Sequence, residues 1–429
     1  MSMKLLILGS DYGTIEIVKE AHKMGLYVIV ADYFETTPTK RLADESWTVS
    51  TTDIDELEKR ARKAGIGAVF MGASDFNIGN GRKLCKRLGL PIYCASDRAW
   101  EVACNKSEFK KLCKKVGAPV ATDYYLTDDL TRDDLDKIQY PVVVKPVDKS
   151  GNRGMSYCKN EEDLIAAYKY ARSVSDNETI IVERELHGPE FVVNYVIADG
   201  EMRLLCFTSE HNQPGELDNL YSIINTTSSH LKQFIEEVSE KVKQVFKEAQ
   251  CREGIAWVET ILDTDGHFYL LEMGHRFAGE MTYVPWECVS GFNTVKWMLE
   301  TALGVKHAEK DLPLELNHCY KGCAASYFMF AKDNTEIATL EGVEAIEALP
   351  NVFLDFPKRV GSAVRYHASI GIVRIYGKDI EQLCHTIEEI NKVLVIKDKE
   401  GKNLFISFDD YDSLRKEYYH GLKEFGIQY

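Results

Sequence analysis

Two glutamates near the middle of the chain are spaced as a bound metal ion would require. Glu259 and Glu272 lie thirteen residues apart in VETILDTDGHFYLLEMGHR, on either side of the turn DTDG. If Leu262 pairs with His267, Glu259 faces Leu270; a shift by one pair puts Glu259 opposite Glu272. In both registers the carboxylates share a face of the predicted hairpin. Like charges among apolar residues favour a shared cation, and Mg²⁺ held jointly with substrate phosphates meets that need. Two outward-facing surface glutamates are the alternative.

A lysine and a glycine-rich loop follow a predicted strand in YPVVVKPVDKSGNRGM. Lys145 ends a β-branched run, so its side chain can project from a rigid strand. The loop 149–154 contains two glycines that free the backbone, and consecutive N–H groups can form a nest for anions. A polyphosphate would suit this segment. Surface loops of the same composition are common, so the segment alone leaves both interpretations open.

A charged segment, ERELHGPEF, begins at Glu183 directly after the apolar residues of a predicted strand. Backbone groups that leave a strand can pair with the edge of an adenine ring. Carboxylates can accept hydrogen bonds from an amino group or from ribose hydroxyls. A solvated charged turn has the same composition, so this segment also leaves two interpretations open.

Alternating strands and helices are expected before these segments, over the first 95 or so residues. KLLIL is followed by Gly9, Gly13 and a helical pattern, and further apolar runs end at Asp32 and Met71. This alternation is typical of βαβ units with a parallel sheet, so we predict a Rossmann-like unit. A nicotinamide dehydrogenase is an alternative from another class, but the turn GSDYGT lacks its three-glycine fingerprint.

The middle of the chain is expected to place the candidate residues on paired strands and at a helix start. Asn105 has the position and the side chain of an N-cap. Asp199 and Gly200 separate two apolar runs, which is a strong hairpin signal. A long amphipathic helix is predicted over 231–246, where the apolar residues recur in phase.

Residues from about 312 to the end are expected to form a third unit, with strands near 319–330 and 370–376. His318, Cys319 and Cys323 could in principle ligate zinc. The two cysteines lie in CYKGCAASYFMF, whose apolar residues indicate a buried strand, and buried thiols are ordinary core residues. We therefore expect them to be part of the core.

Composition excludes several classes of partner. The 429 residues carry a formal charge of −15, whereas nucleic-acid binding needs clustered Lys and Arg. No stretch approaches the roughly 20 apolar residues that cross a bilayer, and the N-terminal apolar run stops at Gly9 without the features of a secretory signal. The 11 cysteines are scattered, which indicates reduced thiols, and we expect a cytoplasmic protein that binds no nucleic acid and no membrane.

The middle unit resembles the ATP-grasp superfamily. The whole chain is similar to its carboxylate–amine ligase branch, which includes bacterial L-amino acid ligases, D-alanine–D-alanine ligase, biotin carboxylase and purine-pathway ATP-grasp enzymes. The order and spacing of the quoted segments carry the resemblance over nearly all of the chain. It implies an α/β and α+β ATP-grasp fold: a Rossmann-like domain over 1–100, an ATP-grasp domain of two α+β subdomains with nucleotide between them over 101–311, and a smaller C-terminal α+β domain over 312–429.

The resemblance also implies roles for individual residues. The nucleotide would be held by residues that contact its phosphates, adenine ring or ribose: Lys106, Lys145, Ser150, Gly151, Asn152, Arg153, Gly154, Glu183, Leu186 and Glu190. Among them, Glu183 would accept from the adenine amino group, Leu186 would contact the ring through its backbone, and Glu190 would bind the ribose. Glu259 and Glu272 would be the ligands of Mg²⁺, for which Mn²⁺ could substitute.

The implied activity is ATP-dependent joining of a small-molecule carboxylate to an amine through an acyl phosphate, with release of ADP and phosphate. Arg276 and Lys145 would be catalytic, because their charges neutralise the transferred phosphate. Gly274 departs from the family pattern, since many members carry an asparagine ligand there, and it leaves the number of metal ions open.

Alternatives to this activity stay open. A purine-pathway type of carboxylase or formyltransferase is the nearest, and a nucleotide-binding protein without catalysis is another. Members of the branch are often homodimers, so a homodimer is also an expectation. Four residues are candidates to hold the substrates: Asp75, His211, Glu216 and Arg365.

Overall fold

The computed structural model describes residues 2–10, 13–93, 96–149, 153–177, 179–214, 223–226, 229–366 and 368–428. The N-terminal elements are β1 (Lys4–Leu8), α1 (Thr14–Lys23), β2 (Tyr27–Asp32), α2 (Pro38–Leu42), β3 (Glu45–Thr48), α3 (Ile54–Ala64), β4 (Ala68–Phe70) and α4 (Asp75–Leu88). Their strands form a parallel sheet in the order β3-β2-β1-β4, as the alternating pattern predicted. The apolar residues of β1 and β2 are buried, so helices cover the sheet.

A second sheet follows in the chain. Its elements are α5 (Asp97–Cys104), α6 (Lys106–Val116), β5 (Asp123–Tyr124), α7 (Arg132–Leu135), β6 (Val142–Pro146), β7 (Ser156–Cys158), α8 (Glu161–Val174) and β8 (Ile180–Arg184). The strands are antiparallel in the order β5-β8-β6-β7. Helix α8 covers one face with Leu164, Ala167 and Ala171, which form a small core with Val142 and Val144.

The next elements build the largest sheet. They are β9 (Glu190–Ala198), β10 (Glu201–His211), β11 (Ile223–Asn225), α9 (Leu231–Phe234), α10 (Glu240–Glu248), β12 (Gly254–Leu262), β13 (Phe268–Gly274), α11 (Tyr283–Ser290) and α12 (Thr294–Ala302). The predicted hairpin turn joins β9 to β10, and Asp199 and Gly200 both have positive φ, 47° and 85°. A π-helical turn, Ile235–Ser239, separates α9 from α10, so the long helix expected over 231–246 is interrupted.

The C-terminal elements extend this sheet. They are β14 (Cys323–Phe330), β15 (Thr335–Glu336), β16 (Thr339–Glu341), α13 (Val343–Glu347), β17 (Val352–Asp355), β18 (Ala363–Val364), β19 (Ser369–Gly377), α14 (Ile380–Val393), β20 (Val395–Lys397) and α15 (Tyr411–Glu424). Eight strands pair in the order β13-β12-β9-β10-β11-β14-β19-β17. The strands expected beyond residue 312 are therefore present, and three of them continue the sheet of the middle unit. No helix in the described part of the chain is long and apolar enough to cross a membrane.

Candidate active site

The two predicted metal ligands lie directly opposite each other. In the β12–β13 hairpin Glu259 pairs with Glu272, whereas Leu262 pairs with Phe268 rather than with His267. The register changes between Glu259 and Thr260, which leaves Leu271 as an extra residue on β13. Of the two expected registers, the pairing of Glu259 with Leu270 is wrong. If the register near the turn continued along the hairpin, the two glutamates would lie on opposite faces. The extra residue forms a β-bulge that returns them to the same face.

A helix start brings Lys106 to this pair. The side chain of Asn105 caps α6 and accepts from the backbone N–H groups of Ser107, at 3.0 Å, and Glu108, at 3.2 Å. Lys106 is therefore the first helical residue, and its ammonium group contacts the carboxylate of Glu272. Burial and the nearby charge of Lys145 lower the pKa of Lys106 to about 8.

Lys145 approaches the site from β6, where its ammonium group contacts one carboxylate oxygen of Glu183. The other oxygen contacts Lys110, which also contacts Asp123. Glu183 lies inside strand β8 and is only 4% exposed, so the solvated charged turn is wrong for this residue. Burial acts to raise the pKa of Glu183, but Lys145 and Lys110 outweigh it and lower the pKa to about 2.

Further carboxylates share the face of the large sheet that carries Glu259. Val192 pairs with Glu259 and Thr208 pairs with Val192, so Glu190 and Glu210, two residues further along β9 and β10, point to the same side as Glu259. Glu190 is open to solvent at the start of its strand, yet surrounding protein and the charge of Glu259 raise its pKa to about 7. Burial, with the charges of Glu190 and Glu259, raises the pKa of Glu210 well above its ordinary value. This concentration of negative charge would stabilise a bound cation.

Arg276 is held beside the hairpin by three partners. Its Nε and Nη2 donate to the two oxygens of Asp75 at 2.5 and 2.7 Å, and Nη1 donates to the carbonyl of Phe277 at 2.7 Å. The guanidinium carbon lies 4.9 Å from the centre of the Trp257 ring. Burial opposes the charge, but the Asp75 carboxylate outweighs burial and raises the pKa of Arg276. Two of its five N–H groups stay available for an oxyanion.

Comparison with known proteins identifies the domain in which most of these residues lie. The family model described as "Carbamoyl-phosphate synthase L chain, ATP binding domain" matches residues 105–310. Residues 105–310 are an ATP-grasp domain. The match covers Lys106, the four-stranded sheet that carries Lys145 and the glutamate hairpin, so it contains all the residues described above except Asp75.

Relatives of this chain include carboxylase subunits. The 2-oxoglutarate carboxylase small subunit of Hydrogenobacter thermophilus is 23% identical over 338 residues, which are 73% of this chain and 69% of that one. The alpha subunit of mitochondrial methylcrotonoyl-CoA carboxylase from Mus musculus is 23% identical over 401 residues. That match spans 86% of this chain but only 53% of the relative, so this chain corresponds to about half of the mouse protein.

Solved structures share the fold over almost the whole chain. A biotin carboxylase from Campylobacter jejuni, in a complex named as β-γ-ATP, superposes with a TM-score of 0.77 and 19% identity, covering 99% of this chain and 97% of the other. An L-amino acid ligase from Bacillus licheniformis superposes with a TM-score of 0.74 and 19% identity, covering 93% and 99%. At this identity the likeness shows the ATP-grasp fold.

The donor set of the ATP-grasp domain fits magnesium. Glu259 and Glu272 offer hard carboxylate oxygens from adjacent strands, and Mg²⁺ is commonly bound through one or two carboxylates with substrate phosphates completing its shell. Among the described residues, no group of three or more His, Cys, Asp or Glu side chains forms a metal site. Cys319 and Cys323 are buried core thiols, so the zinc alternative gains no support there.

The other predicted nucleotide contacts are distributed around the smaller sheet. Arg153 is exposed; Gly154 has a φ of 83° and packs against Val174 and Pro146, where a side chain would clash; and Leu186 is half-buried after β8. Ser150, Gly151 and Asn152 lie outside the described residues, and so does the substrate candidate Glu216. Their roles stay predictions.

The remaining substrate candidates have different surroundings. Asp75 binds Arg276, as described above. His211 lies on β10 with its Nε2 2.5 Å from a carboxylate oxygen of Glu417 on α15. Arg365 is exposed.

Several residues of the site were not anticipated. Glu210 and Lys110 sit among ordinary strand and helix patterns, and only tertiary contacts bring them to the cluster. Glu280 is 5% exposed, one of its oxygens has no partner among the described residues, and burial raises its pKa to about 7. Its position eight residues after Glu272, in EMGHRFAGE, was the one available signal.

Proposed function

We propose that this chain is an ATP-dependent carboxylate–amine ligase that forms an amide or peptide bond through an acyl phosphate. The observation that carries the proposal is the direct pairing of Glu259 with Glu272 beside the ammonium group of Lys106. Two opposed carboxylates with a lysine at their side suit Mg²⁺ and a triphosphate better than they suit any structural purpose. The matched ATP-binding domain and the ligase among the structural neighbours support it.

In this proposal the chain acts by positioning and by electrostatics. Bound Mg²⁺ would supply charge neutralisation between the phosphates and the two glutamates. Lys106 and Lys145 would bind phosphate oxygens, and Arg276 would direct its two free N–H groups at the transferred phosphate. A carboxylate oxygen of the first substrate would attack the terminal phosphorus in line, with ADP as the leaving group.

The second half of the reaction needs an acceptor for a proton. An amine that attacks the acyl phosphate releases phosphate and must lose a proton on forming the amide. Glu280 is a candidate base, because its pKa near 7 lets it take up a proton at neutral pH. One of its carboxylate oxygens has no hydrogen-bond partner among the residues that the structure describes, and this oxygen would accept the proton.

The proposal includes a cytoplasmic location and a homodimer. All ten cysteines that the structure describes are free thiols, which supports a reducing compartment. A structural neighbour, a biotin carboxylase domain from Hydrogenobacter thermophilus, is named as a dimer in complex with MgADP, and it supports both the homodimer and the use of magnesium with a nucleotide.

The test is a two-substrate screen. Pairs of amino acids and small carboxylic acids are incubated with ATP and MgCl₂, and phosphate release is measured together with the mass of the product. We expect one class of pairs to release phosphate and to give the condensed product, and Glu272→Gln to lower turnover by about a hundredfold or more. Glu381→Gln, which removes one partner of a surface ion pair with Arg415, is the matched control. Full turnover of Glu272→Gln would overturn the metal assignment.

A second candidate keeps the site and changes the carboxylate. The structural neighbour with a TM-score of 0.77 is a biotin carboxylase, and the curated relatives include carboxylase subunits, so bicarbonate is the alternative first substrate. This second candidate predicts that phosphate release requires bicarbonate but does not require an amine. A screen in bicarbonate-depleted buffer, repeated with added bicarbonate, separates the two candidates.

A further inference from the structure

We propose that Trp257 is a positioning residue for Arg276. Its ring fills the space that a side chain at position 274 would occupy, and it holds the guanidinium at the transferred phosphate. The inference rests on the proposed function for the role of Arg276. The contact between ring and guanidinium is a separate claim about structure, and it can be tested without turnover.

The first observation is that the Trp257 ring leaves no room for a side chain at residue 274. They are directly paired on β12 and β13, two residues from the paired glutamates Glu259 and Glu272 and on the same face. A Cβ atom on residue 274 would lie 2.5 Å from the indole Nε1 and closer still to two ring carbons. Gly274 does not have positive φ. The glycine is therefore required by the space that the ring fills rather than by the backbone.

The second observation is what the ring does in that space. Trp257 is 4% exposed, and the guanidinium carbon of Arg276 lies 4.9 Å from its centre. Asp75 binds the same guanidinium in a bidentate manner. A ring face together with a bidentate carboxylate fixes both the plane and the rotation of an arginine, which neither contact fixes alone.

The third observation concerns the indole N–H. It has no hydrogen-bond partner among the described residues although it is buried, which costs about 1–3 kcal/mol relative to a satisfied or apolar group. A leucine or phenylalanine would fill part of the space without that cost. The indole has the strongest π-face for a cation, so the contact with Arg276 gives a reason for tryptophan at this position.

The kinetic test uses substitutions of Trp257 and of a matched tryptophan. Trp297 is also buried and its N–H has no partner within the described part of the chain, but its ring stacks on His307 at 3.6 Å. We expect Trp257→Leu to lower kcat about tenfold or more while KM for ATP changes less than about threefold, and Trp257→Phe to recover at least about a third of kcat. Trp297→Leu should leave kcat within about threefold of the parent.

A double variant decides whether Trp257 acts through Arg276. Trp257→Leu combined with Arg276→Ala should be no slower than Arg276→Ala alone, within about threefold, because the ring has nothing left to position. Losses that multiply in the double variant would overturn the proposal, and so would equal losses of kcat in Trp257→Leu and Trp297→Leu.

A spectroscopic test is independent of activity. The chain has five tryptophans, so a ¹H–¹⁵N spectrum shows five indole signals that single Trp→Phe variants assign. Arg276→Ala should move the Trp257 signal. The control Arg82→Ala should move the signal of Trp100 instead, since Arg82 lies 5.4 Å from that ring. A Trp257 signal that ignores Arg276→Ala would overturn the inference. If that signal moves while no substrate pair releases phosphate, the proposed function fails and the positioning contact stands.

Discussion

At the residue scale, Glu183 shows how one buried carboxylate contacts two buried lysines at once. Lys110 and Lys145 each contact one oxygen of its carboxylate, and all three side chains are mostly buried. The two ammonium groups offset the cost of burying the carboxylate, and the pKa of Glu183 falls to about 2. Because both oxygens of Glu183 contact lysines, this carboxylate helps to fix the position of the Lys145 ammonium group.

Removal of this charge should therefore be costly. Glu183→Gln leaves Lys110 and Lys145 buried without their shared carboxylate, and we expect the free energy of unfolding to fall by about 3 kcal/mol or more. Urea denaturation at pH 7 measures this fall. Asp55→Asn, which removes an exposed partner of Arg87, is the control and should cost less than about 1 kcal/mol. Equal effects of the two substitutions would contradict the interpretation.

Glu280 should make the free energy of unfolding fall as the pH rises. Its carboxyl is buried, and its pKa is raised to about 7, whereas the unfolded chain has the ordinary value of 4.5. Between these values the folded state binds more protons than the unfolded state, so stability falls as the pH rises through the window. Relative to Glu280→Gln, the parent should lose up to about 3 kcal/mol of unfolding free energy between pH 4.5 and 7.5. Parallel curves for the two proteins would show that folding does not raise the pKa of Glu280.

The residue types of the site could be predicted, but their surroundings could not. Glu259, Glu272 and Lys145 stand out because charged residues interrupt apolar strands. The residues next to Glu210 and Glu280 in the sequence do not mark them as site residues. Both carboxyls become buried only when β9, β10 and the loop after β13 pack together. The loss of solvent that raises their pKa values depends on this packing, and residue spacing in the sequence does not predict it.

At the element scale, the β12–β13 hairpin depends on one extra residue. Near the turn, Thr260 pairs with Leu270, and that register continued would place Glu272 opposite Val258. The bulge at Leu271 shifts the phase by one residue and returns Glu272 to the face of Glu259. The sequence predicted the strands, the turn and the shared face. It could not predict the bulge, because Leu271 is an ordinary strand residue and nothing in its sequence neighbours marks an extra residue.

Gly274 is the second element-scale constraint on this hairpin. Gly274→Ala should displace the Trp257 ring and cost about 1–3 kcal/mol of stability. Thermal unfolding measures the effect as a lower Tm. Gly279→Ala is the control, since a Cβ atom there has no neighbour within 4 Å and the backbone has no positive φ. A Tm for Gly274→Ala at or above that of Gly279→Ala would show that the ring adapts without cost.

At the scale of the whole molecule, a buried carboxylate ties the N-terminal turn to the far edge of the large sheet. The backbone N–H of Gly13 donates to Asp355 at 2.6 Å, and the same oxygen lies 3.6 Å from Nη1 of Arg374. Arg374 is 1% exposed and its Nε donates to the carbonyl of Glu280 at 3.1 Å. Residues more than 300 positions apart thus share one polar network next to the site.

Asp355→Asn should weaken this tie. The buried guanidinium of Arg374 would lose its nearest carboxylate, and we expect the unfolding free energy to fall by about 2–4 kcal/mol. Asp333→Asn, at a half-exposed pair with Lys402, is the control and should cost less than about 1 kcal/mol. Urea denaturation of both variants measures the difference, and indistinguishable midpoints would contradict it.

The large sheet also determines where the chain can be divided. Within the described residues, strand β11 lies between β10 and β14 in the sheet order and pairs with both neighbours. A fragment that ends at residue 311 would therefore expose a row of backbone amides and carbonyls along β11, ready to recruit a strand from another molecule. Chimaeras that exchange the last 118 residues between relatives would have to match the β11–β14 pairing as well as the chemistry, because these hydrogen-bonded neighbours would then come from different parents.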